Sequence, residues 1–388
     1  MSGPAPGWQR RGFNVAAMRT EAKRALPRAI FDFVDGGAGD EVTLRRNESD
    51  FDALSLLPRP LNGAAERDMS ITLFGQKLSM PLMVAPTGLA GLLWPDGEAA
   101  SARAAAAAGT AYCLSHGSVC TLEALAGTGV TPRWMQTYIY KDRELTREIA
   151  ERAAAAGYEA LVVTIDTQIV GNRERDIRNG FLIPPRLSAG EVARMAFKLP
   201  WLWRMRREIP RITFGNYKRA GEAEDLTALA ERMLTLPDPG MTWRDIEWLR
   251  GIWPGALLLK GVLHPDEAAA AVACGVDGML VSNHGGRQLD GAASAIEALP
   301  GVVEAVDGRA KILLDGGIRR GTHVIKALAL GADCCLTGRP QFWGLAVAGE
   351  AGVAHVLEIF RREIDLAMGL SGLAKIGDIG PDILLRQS

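Results

Sequence analysis

Eight short apolar runs recur along this sequence, and each closes on a polar or glycine-rich turn. They are residues 82–85, 111–114, 134–137, 160–163, 257–259, 278–281, 311–314 and 334–336. Patterns rich in Ala, Leu and Glu lie between most of them, as at 98–108, 143–156, 265–273 and 320–329. Gly109, Gly157, Gly275 and Gly331 follow, where helices commonly end. Strands that alternate with helices pair in parallel, and near-continuous apolar strands are buried on both faces. A doubly wound sheet would satisfy that pattern, but the count of eight favours a (β/α)₈ barrel. The polar residues cluster just after the runs, and in a barrel those positions converge on the C-terminal mouth, where active sites form.

Two stretches fall outside the repeat. Residues 1–80 form an N-terminal helical segment that includes 13–36, ahead of a barrel over 82–385. The gap between Asp166 and Leu257 is too long for a simple crossover and holds an insertion, placed at 186–240. All 388 residues are read as one domain, since 48% hydrophobic residues suffice for one large core. The net charge of −1 offers no basic field for nucleic acid. The five cysteines are odd in number and lack metal-ligand spacing, so they read as buried thiols in a reducing compartment. No metal site is expected. The N-terminus lacks the apolar core of a secretory signal, and no run reaches the ~18 apolar residues of a membrane span. The expected location is the cytoplasm.

The stretch SNHGGRQLD at 282–290 raises three readings: a structural turn, a phosphate cradle, or a catalytic base beside an anion clamp. His284 suits a general base, because imidazole titrates near neutrality. Arg287 offers a planar fork to a carboxylate, and Arg173 a second anion contact. Asp166 is placed to orient the imidazole. Lys260 closes an apolar strand, an expensive position unless paired or functional. It could form a Schiff base, bind phosphate, or neutralise an anion developing on a cofactor. The turns Asp315-Gly316-Gly317-Ile318-Arg319 and Gly338-Arg339 follow strands seven and eight, the usual phosphate position of a barrel. A phosphate at one end and a lysine near the centre suggest flavin mononucleotide (FMN).

With SNHGGRQLD, DGGIRRG and KALALGA together, the chain resembles the FMN-dependent L-2-hydroxy acid oxidase/dehydrogenase family from Leu26-Pro27 to near Pro381. Within it the similarity is greatest to (S)-mandelate dehydrogenase and the quinone-linked L-lactate dehydrogenases. The resemblance implies that Pro86, Thr87 and Gly88 hold the flavin ring through backbone groups, with Ser115, Gln136, Thr164 and Ser282 as further contacts. It implies that Lys260 stabilises the reduced anion, and that Asp315, Gly316, Gly317, Arg319, Gly338 and Arg339 bind the ribityl chain and phosphate. Tyr138, Arg173 and Arg287 would hold the substrate, and His284 would be the base, paired with Asp166. Oxidation to the 2-oxo acid would follow as His284 takes the hydroxyl proton and hydride passes to flavin N5; a carbanion route would use the same residues. A homotetramer is also implied.

Phe33 stands where the family usually has a tyrosine contacting the substrate carboxylate, so weaker carboxylate binding is expected. Gly88 and Gly117 occupy places where glycolate oxidase-like members carry larger residues, and both are expected to open room. With Phe33 as an apolar wall, they favour a mandelate-like or larger aliphatic acid over glycolate. From 186 to 219 nine Lys/Arg face two Glu, interleaved with Phe197, Leu199, Trp201, Trp203 and Met205. Basic residues among tryptophans suit an anionic bilayer surface. The insertion is therefore expected to bring the enzyme to the inner face of the cell membrane and to quinone. The alternative is an oxidase of the same family that uses O₂ and makes H₂O₂.

Overall fold

The computed structural model describes residues 6–181, 190, 195–217 and 237–385. Eight parallel strands close into a barrel: β1 (Leu82–Val84), β2 (Tyr112–Leu114), β3 (Arg133–Thr137), β4 (Ala160–Thr164), β5 (Ala256–Val262), β6 (Gly278–Val281), β7 (Lys311–Leu314) and β8 (Cys334–Thr337). Their order round the barrel is the chain order, with β8 pairing β1. The four anticipated helices form at Gly97–Ala107, Arg143–Ala155, Pro265–Ala273 and Gly321–Ala329. Each is followed by its expected glycine at positive φ.

A period of two sorts every strand into an inner and an outer face. Met83, Cys113, Trp134, Val162, Leu258, Leu280, Leu313 and Leu336 pack together inside the barrel. Their neighbours Leu82, Leu114, Met135, Val163, Leu259, Met279, Leu314 and Cys335 pack outward against the helices. The next inward position on most strands is polar: Ser115, Gln136, Thr164, Lys260, Ser282 and Asp315. One alternation therefore builds both a dry core and a polar mouth.

The N-terminal segment is more broken than expected. Helix Val15–Ala25 stops before a second helix, Arg28–Asp35. Pro27 causes the break, because it holds the preceding Leu26 in an extended conformation. The segment also contains a hairpin, Ile71–Leu73 with Gln76–Leu78, whose Leu73 and Leu78 plug the lower end of the barrel. Trp134 meets this plug, its Nε1 donating to Gln76 Oε1 at 3.0 Å while its ring lies 5.6 Å from Phe74.

The last helix, Arg339–Ser371, is kinked at Ala348 and Gly349. Its most apolar 18-residue window is 61% buried, so its hydropathy reflects core packing. All five cysteines are free; Cys120 and Cys274 are only half-buried, contrary to the expectation of uniformly buried thiols. Much of the insertion expected at 186–240, including Arg186, Glu191, Arg194, Lys218 and Arg219, lies outside the described residues.

Candidate active site

Strand β6 delivers the 282–290 loop to the mouth. Asn283 fixes this loop: its side chain exchanges hydrogen bonds with Asn47 at 2.8 Å each way and accepts from Gly286 N at 3.0 Å. His284 sits at φ +58, an unusual backbone for a non-glycine residue and one found at functional sites. Its Nδ1 pairs with Asp166 Oδ1 at 2.9 Å, which leaves Nε2 for a ligand. Burial depresses the imidazole below its ordinary pKa despite Asp166, so it is neutral and competent as a base near pH 7. Burial pushes Asp166 the other way, but its interaction with His284, including their hydrogen bond, and the charge of Lys260 outweigh it and keep the carboxylate ionised.

Lys260 is almost fully buried, donating to Ser282 Oγ at 2.9 Å and lying 3.3 Å from Asp315 Oδ2. Burial opposes its charge, but Asp315 and Asp166 prevail and raise its pKa. On the neighbouring strands Gln136 Oε1 accepts from His116 N at 3.1 Å, and Nε2 donates to Thr164 Oγ1 at 3.0 Å. The amide is thereby held in one orientation.

Four arginines gather at the same mouth. Arg287 and Arg339 each donate to the carbonyl of Gly36 at 2.7 Å. Arg173 reaches Gln288 Oε1 at 3.4 Å, and Arg319 pairs with Glu48 at 2.9 Å. Burial lowers Arg287 well below the ordinary guanidinium value, aided by Arg173 and Arg339. Burial and Arg319 bring Arg339 down to about 10, still protonated at neutral pH. Buried cations this short of partners call for anionic ligands.

These residues surround a cavity of about 650 Å³. It is lined by Phe33, Pro86, Thr87, Gly88, Ser115, Gly117, Gln136, Tyr138, Thr164, Arg173, Lys260, His284 and Arg287. Asp315, Gly316, Gly317, Arg319, Gly338 and Arg339 line it as well. Asp166 and Ser282 do not line it: Asp166 backs His284, and Ser282 is fully buried beneath Lys260. Gly88 differs from expectation. A Cβ there would approach Gly117 O at 3.0 Å, so the small residue accommodates neighbouring backbone rather than opening the cavity. At Gly117 a Cβ would meet only Ser115 Oγ, at 3.7 Å, so room does exist there.

Several contributors escaped the sequence reading. Gly261 takes φ +105, and a Cβ on it would fall 2.7 Å from Asp166 Cβ. The Lys-Gly pair ending an apolar run was the available signal. Gln288 ties the loop after β4 to the 282–290 loop, its Nε2 donating to Asp166 O at 2.7 Å and Ile169 O at 2.9 Å. Gly36 acts through its carbonyl, which has no sequence signature. Phe181 lies 5.2 Å from Phe33, forming an aromatic wall beside Arg287, whose guanidinium is 5.4 Å from the Phe33 ring.

The part of the cavity bounded by the 315–319 and 338–339 turns fits a phosphate monoester. The glycine turns keep it clear of side chains, Arg319 Nε lacks a hydrogen-bond partner, and Arg339 opens a long helix whose N-terminus favours an anion. The same lining holds His284, able to act as a base, with Arg173 and Arg287, able to hold a carboxylate, and Lys260 lies 3.3 Å from Asp315 Oδ2. Fold and site together define a flavin-type oxidoreductase acting on a small hydroxy acid.

Comparison with known proteins agrees. The model of the FMN-dependent dehydrogenase family matches residues 22–386, and the chain belongs to that family. It is 44% identical over 368 residues to L-lactate oxidase of Nostoc sp., covering 94% of this chain and 95% of that one. It is 41% identical over 370 residues to L-lactate dehydrogenase of Alcaligenes faecalis, covering 95% and 97%. Among solved structures, the monotopic membrane protein (S)-mandelate dehydrogenase superposes with TM-score 0.93 at 36% identity, covering 97% of this chain and 99% of that one. A mandelate oxidase superposes with TM-score 0.83 at 37% identity, covering 96% and 98%. The protein is thus an FMN-dependent 2-hydroxy acid oxidoreductase with a (β/α)₈ barrel.

Proposed function

We propose that this enzyme oxidises an L-2-hydroxy acid with an aromatic or larger aliphatic substituent to the 2-oxo acid and passes the electrons to quinone at a membrane surface. The observation that carries the chemistry is the neutral His284, bonded to Asp166, in one cavity with Arg173 and Arg287. The arginines and Tyr138 hold the substrate carboxylate. His284 Nε2 takes the hydroxyl proton, and Asp166 stabilises the imidazolium that results. Bound FMN supplies the two-electron acceptor. Lys260, Ser115, Gln136, Thr164 and the backbone of 86–88 hold the flavin ring, and Lys260 offsets negative charge there. Asp315, Gly316, Gly317, Arg319, Gly338 and Arg339 hold its ribityl phosphate. Ser282 acts indirectly, by fixing Lys260. An anaerobic spectrum tests this: the flavin should bleach with the L-acid and persist with the D-acid. Bleaching by neither would end the reading.

Phe33 removes a hydroxyl from the carboxylate site, so Phe33→Tyr should lower KM for glycolate. One hydrogen bond to a charged group is worth ~1.5–3 kcal/mol, or about 10–100-fold. An unchanged KM would show that the ring matters only through Arg287.

Helix Leu199–Met205 supports the membrane reading. Its Trp201 and Met205 are buried, whereas Leu199 and Trp203 are exposed, as is the preceding Phe197. Arg206 lies 3.9 Å from the Trp203 ring, and Lys198, Arg207 and Arg211 are close in sequence. At nearly equal identity, the chain superposes better on the monotopic dehydrogenase than on the mandelate oxidase. Replacing Phe197 and Trp203 together by serine should weaken partition onto anionic vesicles by ~10–100-fold with FMN content intact. Partition equal to wild type would sink the membrane reading. The same reading takes the working form as a homotetramer on the inner face of the cell membrane, which light scattering would report as four times the chain mass.

The 44% identity to an L-lactate oxidase favours a second reading, in which O₂ replaces quinone. Oxygen uptake and peroxide formation during turnover separate the two.

A further inference from the structure

His116 is a fully buried imidazole to which the chemistry above gives no part. It lies between the barrel and a leg of the insertion, residues 214–217. Its ring stacks on Tyr217 at 4.2 Å and 14°, and its Nδ1 meets Tyr140 Oη. Tyr140 Oη in turn donates to Tyr217 Oη at 3.1 Å. The backbone of His116 makes two more joints: its N–H donates to Gln136 Oε1 at 3.1 Å, and its carbonyl accepts from Asn216 Nδ2 at 3.4 Å.

The leg itself is seated closely. Gly215 N donates to Ser118 O at 3.0 Å, and a Cβ on Gly215 would fall 2.7 Å from Val119 O. Asn216 Oδ1 accepts from Leu122 N at 2.8 Å, at the start of helix Leu122–Ala126. Phe214 and Tyr217, seated this way, line the cavity together with Gly117, the residue after His116. Gly117 is where the cavity has room for more than a hydrogen, so one short stretch supplies both an opening and the support for its aromatic wall.

We propose that His116 is a positioning residue for substrate specificity: through Tyr140 and Tyr217 it fixes the aromatic wall that receives the substituent of a bulky 2-hydroxy acid. This rests on the reading that the cavity holds FMN and a hydroxy acid together. Imidazole suits the position because it offers a flat face to one tyrosine and a nitrogen to the other. Burial brings its pKa down to about 3, so it stays an uncharged wedge at physiological pH. Its Nε2 finds no hydrogen-bond partner, so what holds it in place is the stack and the Tyr140 contact.

The test titrates holoenzyme with two 2-oxo acids, benzoylformate and pyruvate, and follows the flavin absorbance change, which needs no turnover. His116→Ala should raise Kd for benzoylformate about 10-fold or more and leave pyruvate within about two-fold, since a reshaped apolar pocket changes discrimination by ~10–200-fold. Tyr140→Phe keeps the packing and the His116–Tyr217 stack but removes the hydroxyl that bridges His116 Nδ1 and Tyr217 Oη, and should move benzoylformate alone by about three-fold. It carries the test if His116→Ala fails to load FMN. Equal weakening of both ligands, or no change in either, would overturn the proposal. Bleaching of the wild-type flavin by hydroxy acids, scored separately, decides the activity reading on its own.

Discussion

His284→Ala should slow flavin bleaching by a saturating 2-hydroxy acid about 10²–10⁴-fold while FMN content stays at the wild-type level, because a positioned general base contributes on that order. The side chain is bonded to Asp166 and is no part of the glycine turns that suit the phosphate, so cofactor loading is not its task. The wild-type pH profile carries the same information. The base works unprotonated, and burial lowers its pKa despite the opposing pull of Asp166. Activity should therefore persist to lower pH than a free histidine allows, with the acid limb of kcat/KM below ~6.5. A variant within ten-fold of wild type, or an acid limb above neutrality, would remove His284 from the role.

Gly261→Ala should damage the same step from behind. The glycine sits at φ +105, in a strand irregularity between Lys260 and Val262, and its Cα faces Asp166. A methyl group there would lie 2.7 Å from both Cβ and Cγ of Asp166, so the carboxylate must move and the 2.9 Å bond to His284 must lengthen or break. Displacement of a catalytic orienting group by about 1 Å costs on the order of 10²-fold in rate. Asp166→Asn, which alters the hydrogen bond without crowding the backbone, should reproduce the kinetic loss. If Gly261→Ala turned over normally, the close approach would be incidental to function.

The barrel was legible because its strands announce themselves twice: as apolar runs buried on both faces, and through the polar residue that ends most of the inward columns. Lys260 above Leu258 and Asp315 above Leu313 are one alternation read one step further. His284 and Arg287 were legible because their types in one glycine-flanked loop have few other uses. What stayed hidden works through backbone or through distance in the chain. The Gly36 carbonyl receives two arginines some 250 and 300 residues away, one from the 282–290 loop and one from the start of the last long helix. No residue type marks such an acceptor. The hairpin at 71–78 is short and only partly apolar, and it acquires meaning only from the open barrel end it fills. Gly88 looked like an opening because a missing side chain reads as space, whereas here the neighbouring backbone occupies it.

That plugged lower end has a kinetic consequence. With Leu73 and Leu78 closing one end and a packed interior above them, the described residues leave the mouth as the way in for ligands. Substrate, product and any bulky electron acceptor then share that doorway and use it in turn. The 2-oxo acid has to depart before such an acceptor enters, so turnover becomes an alternation of two half-reactions, and double-reciprocal plots at several acceptor concentrations should run parallel.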